Sequence, residues 1–174
     1  GKGHLYEGGI RTPLIVRWPG VVKPGTVIET PVTSADLFPT ILEAARLPAR
    51  SGLDGVSLVP LLSRNERPRR QAIFWHYPHY SNQGGVPSGA VRQGDYKLIE
   101  FYEDGWLELY NLKDDIGEQR NLIRKEPRTA AELHKALKAW RAAVRARMPE
   151  PNPDYDPAKA DQQLTATERR RELP

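Results

Sequence analysis

Hydrophobic and polar positions along the chain change rhythm near its middle. Leu14 to Trp18 is a short apolar, β-branched run that stops at Pro19-Gly20, which predicts a buried strand followed by a turn. Pro24-Gly25, flanked by Val21, Val22, Val27 and Ile28, predicts a second loop or hairpin. Leu37, Ile41, Leu42 and Ala45 then recur at helical spacing, with Asp36 as N-cap and Pro39 in the first turn, so a core-facing helix is expected. Residues 46 to 72 mix Pro, Gly, Ser and Arg around one apolar patch, Val59 to Leu62, and read as a long connection with a boundary near Arg70.

Beyond that point the period shortens. Ile73 to Tyr77, Ala90 to Gln93, Tyr96 to Phe101 and Trp106 to Leu112 are strand-like, with turn signals at Gly94-Asp95 and Asp104-Gly105 between the last three. The short links favour antiparallel pairing. From Thr129 the pattern is helical: Thr129 and Glu132 have capping-box spacing, and Leu133, Leu137, Trp140 and Val144 form one apolar stripe. A four-stranded antiparallel sheet packed by this helix is the expected architecture of residues 71 to 148. The Pro-rich remainder, 149 to 174, is expected to be an extended or disordered tail.

Composition narrows the chemistry. None of the 174 residues is cysteine, which excludes disulfides, thiolate metal sites and a cysteine nucleophile within this segment. Lys and Arg number 26 against 22 Asp and Glu, a mild excess that favours anionic substrates without announcing nucleic acid. No apolar run approaches the about 18 residues of a membrane span. The opening Gly-Lys-Gly-His lacks an initiator Met and a signal-peptide pattern, so the chain is read as starting inside a longer protein.

The chemistry-bearing stretch is GKGHLYEGGIRTP. Lys2 between glycines can project an ammonium into a cleft that holds a tetrahedral anion, while Glu7 and Arg11, four apart, can pair and brace the loop. An exposed lysine beside a surface ion pair is the bland alternative, and these residues alone leave it open. A second cluster, Phe74 to Tyr80, sets His76 and His79 among aromatic rings, a composition suited to a sugar or aryl face or to a packed strand. Two histidines across a proline with no third ligand nearby make a poor zinc site. Trp18, Trp106 and Trp140 are read as core, and Asp114, Asp115 and Glu118 as an acidic turn outside any calcium-loop spacing.

GKGHLYEGGIRTPLIVRWPG closely resembles a segment of the arylsulfatase-type sulfatases, and VTSADLFPTILEAARL, LDGVSLVPLL, AVRQGDYKLIE and ELYNLKDDIGEQRNL follow in that family's order across residues 1 to 148. One departure is Ala45-Arg46, where the family usually has Ala-Gly. The resemblance implies an alkaline-phosphatase-like α/β fold. Residues 1–70 would end the catalytic domain, and 71–148 would form a C-terminal subdomain of α+β character. It implies a sulfuric-ester hydrolase acting on a sulfated carbohydrate or aryl sulfate. Lys2 would contact the sulfate, and His76 and His79 would stand at the substrate rim. A formylglycine nucleophile and a calcium ion with its ligands would lie in an upstream half absent from this chain. Periplasmic or secreted location follows from the family alone. Ser88-Gly89-Ala90-Val91-Arg92 fits the loose formylglycine pattern but precedes a predicted strand in the wrong half, and is set aside. Two alternatives remain open: a phosphate monoester or phosphonate hydrolase of the same superfamily, and a non-catalytic binding or packing module.

Overall fold

The computed structural model describes residues 2–154. In chain order its elements are α1 (Glu7–Ile10), a 3-10 turn (Ser34–Asp36), α2 (Leu37–Ala44), α3 (Val59–Arg64), β1 (Ile73–Tyr77), β2 (Ser88–Gln93), β3 (Tyr96–Phe101), β4 (Leu107–Asn111) and α4 (Pro127–Ala143). The described residues fall into two compact units: Pro13–Arg70, and residues 2–12 together with 71–154. Residues 2–12 therefore belong with the sheet, whereas the sequence groups them with 13–70.

In the sheet unit, β1 to β4 form an antiparallel meander in sequence order. Alternation along the strands sends side chains to two faces. Val91, Leu98 and Leu109 pack with Ala130, Leu133 and Leu137 of α4, and Trp140 stacks on Phe74 with ring centroids 5.0 Å apart. Ala90, Ile99, Phe101 and Tyr110 point the other way and are covered by Leu5, Tyr6 and Ile10. The sheet is thus a filling between one long helix and the short N-terminal segment. Two details differ from expectation. α4 begins at Pro127, whose missing N–H costs nothing in a first turn, and the Thr129 hydroxyl reaches back to Glu126 instead of forming a capping box. Val144, assigned to the buried stripe, is half exposed just past the helix end. The tail assignment falls mostly on residues 155–174, which lie outside the described residues; 149–154 have no helix or strand and are exposed.

In the Pro13–Arg70 unit, Leu14 to Trp18 does not form a strand, and Ile15 is 89% exposed. The physical reason is that a strand exists only through a partner's hydrogen bonds, and the described part of this unit contains no other strand. α2 forms where expected, yet Leu37, Phe38 and Ile41 on it are exposed, so its apolar face does not meet a core within this unit. The predicted connection contains α3, whose Leu61 is buried. Asp36 is not a simple cap. Its fully buried carboxylate accepts hydrogen bonds from Thr33 N–H, Val56 N–H and both terminal nitrogens of Arg70. Burial works against the ionised form, but Arg70 and the two amides outweigh it and hold this carboxyl below its ordinary pKa.

Candidate functional site

Residues 2–10 run across the open face of the sheet and are pinned at successive points. Gly3 lies so close to the loop after β1 that a Cβ there would come within 2.1 Å of the Ser81 hydroxyl, and a Cβ on Gly85 would meet the Gly3 carbonyl oxygen at 1.7 Å. Only glycine permits this approach from both sides. The loop is itself closed, because Ser81 N–H donates to the Gly85 carbonyl and Gly85 N–H to the Ser81 hydroxyl. Leu5 enters the core. The Tyr6 hydroxyl donates to Glu108, a buried carboxylate that also receives the Tyr110 hydroxyl and the Trp106 indole N–H.

Glu7 is the deepest anchor. Its carboxylate lies 3.0 Å from Lys97 Nζ, and the same ammonium is 2.9 Å from Glu118 Oε1. Lys97 is 0% exposed. Glu118 Oε2 also accepts the Glu7 backbone N–H, and Arg92 and Arg11 approach Glu7 at 3.8 and 3.7 Å. The pairing of Glu7 with Arg11 read from their spacing is present as one edge of this larger cluster. Burial pushes the Glu118 carboxyl above its ordinary pKa against the pull of Lys97.

Lys2 is exposed, next to Gly3 in this pinned segment. The loop that grips Gly3 follows His79 and Tyr80, both exposed; the His79 ring stands edge-on to Tyr77, and the Tyr80 hydroxyl donates to Glu103. Lys2 and His79 therefore sit on neighbouring segments of one unit. His76 is placed differently. Its register in β1 points it to the α4 side of the sheet, where one ring nitrogen is 2.7 Å from the Tyr102 hydroxyl and the other 2.8 Å from the Arg147 carbonyl. With Arg141 over the Tyr102 ring and Glu100 bonded to Arg141, His76 belongs to a network tying the end of α4 to the sheet. Lys2 and His79 are thus both exposed, whereas His76 is engaged on the α4 side of the sheet.

Ser88 is buried in β2 with its hydroxyl on the Val86 carbonyl. Trp106, read as core, is more than a third exposed. Sequence reasoning missed Lys97 and Glu118. A signal for Lys97 existed: it alternates with Ile99 and Phe101 on the apolar face of β3, where a lysine demands buried carboxylates.

Calcium ligation does not fit the side chains of the described residues. Among the described residues no group of three or more His, Asp or Glu could hold a metal ion, and the buried pair Glu7 and Glu118 already encloses an ammonium. Among the described residues, too, no helix is long and apolar enough to cross a membrane.

Residues 1–145 match the family described as N-sulphoglucosamine sulphohydrolase, C-terminal. A sulfatase of Formosa agariphila is 37% identical over 156 residues, covering 80% of this chain and 28% of that protein. Among solved structures, a protein in complex with its substrate D-glucosamine-2-N,6-O-disulfate is 29% identical with a TM-score of 0.61, over 75% of this chain and 28% of that one. A phosphonate monoester hydrolase from Silicibacter pomeroyi is 30% identical with a TM-score of 0.63, over 82% and 31% respectively. The chain spans less than a third of the length of these relatives.

Proposed function

The chain belongs to the N-sulphoglucosamine sulphohydrolase C-terminal family, and from that premise we propose that the complete protein is a sulfatase that hydrolyses sulfate esters of a sulfated carbohydrate or aryl sulfate. In this reading Lys2 is the sulfate-contacting cation. Its ammonium, carried on a backbone pinned through Gly3, Leu5, Tyr6 and Glu7, neutralises charge on the sulfuryl oxygens as the S–O bond to the leaving group breaks. His79 and the exposed Tyr80 line the adjoining rim, where an imidazole can hydrogen-bond a sugar hydroxyl and a ring can face a pyranose. His76 holds the strand that carries this rim through Tyr102 and Arg147. A formylglycine nucleophile and calcium, with residues from outside this chain, would supply covalent attack and polarisation of the sulfate. Periplasmic or secreted location belongs to the same reading.

The single observation that carries the proposal is an exposed lysine on a segment that glycine contacts and a buried ion cluster hold in one place, in a chain of this family. A second reading is favoured by the similarity to a phosphonate monoester hydrolase, since a tetrahedral anion with the same charge placement suits Lys2 equally. One experiment separates them: turnover of aryl sulfate, aryl phosphate and an aryl phosphonate monoester by the complete protein, with and without Lys2→Ala. The expected result is preference for the sulfate and a loss of about 100-fold or more in kcat with Lys2→Ala, the scale for removing a preorganised charge-stabilising group. Preference for the phosphonate installs the second reading. Unchanged turnover by Lys2→Ala overturns the role of Lys2.

A further inference from the structure

Glu7, Lys97 and Glu118 do no chemistry on the sulfate, yet they form a buried charged cluster on the open face of the sheet beside the β2–β3 turn. We infer that this cluster is a positioning device for Lys2, with Lys97 as its keystone; the inference rests on the reading of Lys2 as the sulfate contact. A lysine with 0% exposure has given up all its hydration, and its two carboxylate partners are 3.0 and 2.9 Å away. Clusters of this kind are poor stabilisers, since well-packed apolar side chains often serve as well or better. What they provide is directional: a buried ammonium accepts few arrangements of its partners. The arrangement imposed here is specific to the N-terminal segment. Glu7 comes from α1 and Glu118 from the loop after β4, and Glu118 uses its second oxygen to take the Glu7 backbone N–H.

The main chain is thereby fixed five residues after Lys2, across sequence separations of 90 and 111 residues. Between the two points, Leu5 in the core and Gly3 against Gly85 allow little slack. The outcome is a lysine whose stem is located by the sheet while its ammonium stays exposed, the arrangement needed for a cation that must meet a substrate without reorganising. Lys97 touches no substrate in this account. It acts through Lys2.

The test is a double-mutant cycle in the complete protein, with Lys2→Ala, Lys97→Met and the double variant assayed on aryl sulfate and their thermal unfolding recorded alongside. Lys97→Met is expected to lower kcat by about 10- to 100-fold, the scale of a misplaced catalytic group, with KM changed less. In the Lys2→Ala background the same substitution is expected to change kcat less than about threefold, because its effect passes through a side chain already gone. If Lys97→Met lowers kcat by the same factor in both backgrounds, the cluster is merely structural and the inference fails. It also fails if Lys97→Met leaves kcat within about threefold. Should Lys97→Met not accumulate as folded protein, the isosteric Glu118→Gln in the same cycle decides by the same criterion. Failure of the underlying reading is visible separately, as a Lys2→Ala variant that keeps its activity.

Discussion

Asp36 allows a prediction whose size can be worked from the structure. Its Oδ1 accepts from Val56 N–H at 3.0 Å and Arg70 Nη1 at 3.0 Å, and its Oδ2 from Thr33 N–H at 2.8 Å and Arg70 Nη2 at 2.7 Å. Each oxygen thus serves one backbone donor and one guanidinium donor. In Asp36→Asn, whichever way the amide turns, its NH2 faces one of each, so two donors lose their acceptor at a site with 0% exposure. At roughly 1–3 kcal/mol for each of the two orphaned buried donors, the cost is about 2–6 kcal/mol, a range that brackets the roughly 3–5 kcal/mol for breaking a buried pair from one side. The assay is hydrogen exchange of the Val56 and Thr33 amides in the complete protein, where a tenfold change corresponds to about 1.4 kcal/mol. Exchange at both is expected to accelerate by about 30- to 10,000-fold at neutral pH. Because the native carboxyl titrates below its ordinary value, its stabilisation is fully present above the unfolded value, about 3.9, and is lost as pH falls through the folded one. The gap between wild type and Asp36→Asn should therefore narrow below about pH 4. Acceleration of less than about tenfold at neutral pH, or a gap that widens on acidification, would refute the reasoning.

Two further predictions concern the sheet unit. Gly85→Ala places a Cβ 1.7 Å from the Gly3 carbonyl oxygen, and backbone cannot yield as a side-chain tip can; an overpacking cost of about 1–3 kcal/mol or more is expected, read as a lower Tm with turnover falling alongside, whereas an unchanged Tm would deny the close approach. Leu137→Ala removes a side chain with 0% exposure from between α4 and the sheet, and should cost about 2–5 kcal/mol in denaturant unfolding.

How much was legible in the sequence differs between the two candidate histidines and the cluster beneath Lys2. His79 was singled out for its neighbours in the chain, and it lies exposed in a loop. His76 was singled out for the same reason, but the two-residue period of β1 sends it toward α4, a consequence that needs the sheet's covering elements to be known. Lys97 and Glu118 carried only a faint sign, a lysine among apolar positions of β3, because their meaning depends on partners about a hundred residues away.

What the sequence determined by itself is what depends on neighbours. Alternation and turn residues placed all four strands to within two residues, since strand alternation and the short β2–β3 and β3–β4 links are local signals. The apolar stripe of α4 and the run of colinear sulfatase-like blocks were equally local. The tertiary structure alone decided the rest. Leu14 to Trp18 has strand-like residues but no strand, because pairing requires a second chain segment. Residues 2–12 join the sheet rather than what directly follows them, because Glu7 meets Lys97 and Glu118 there, and a buried charge has few places it can go.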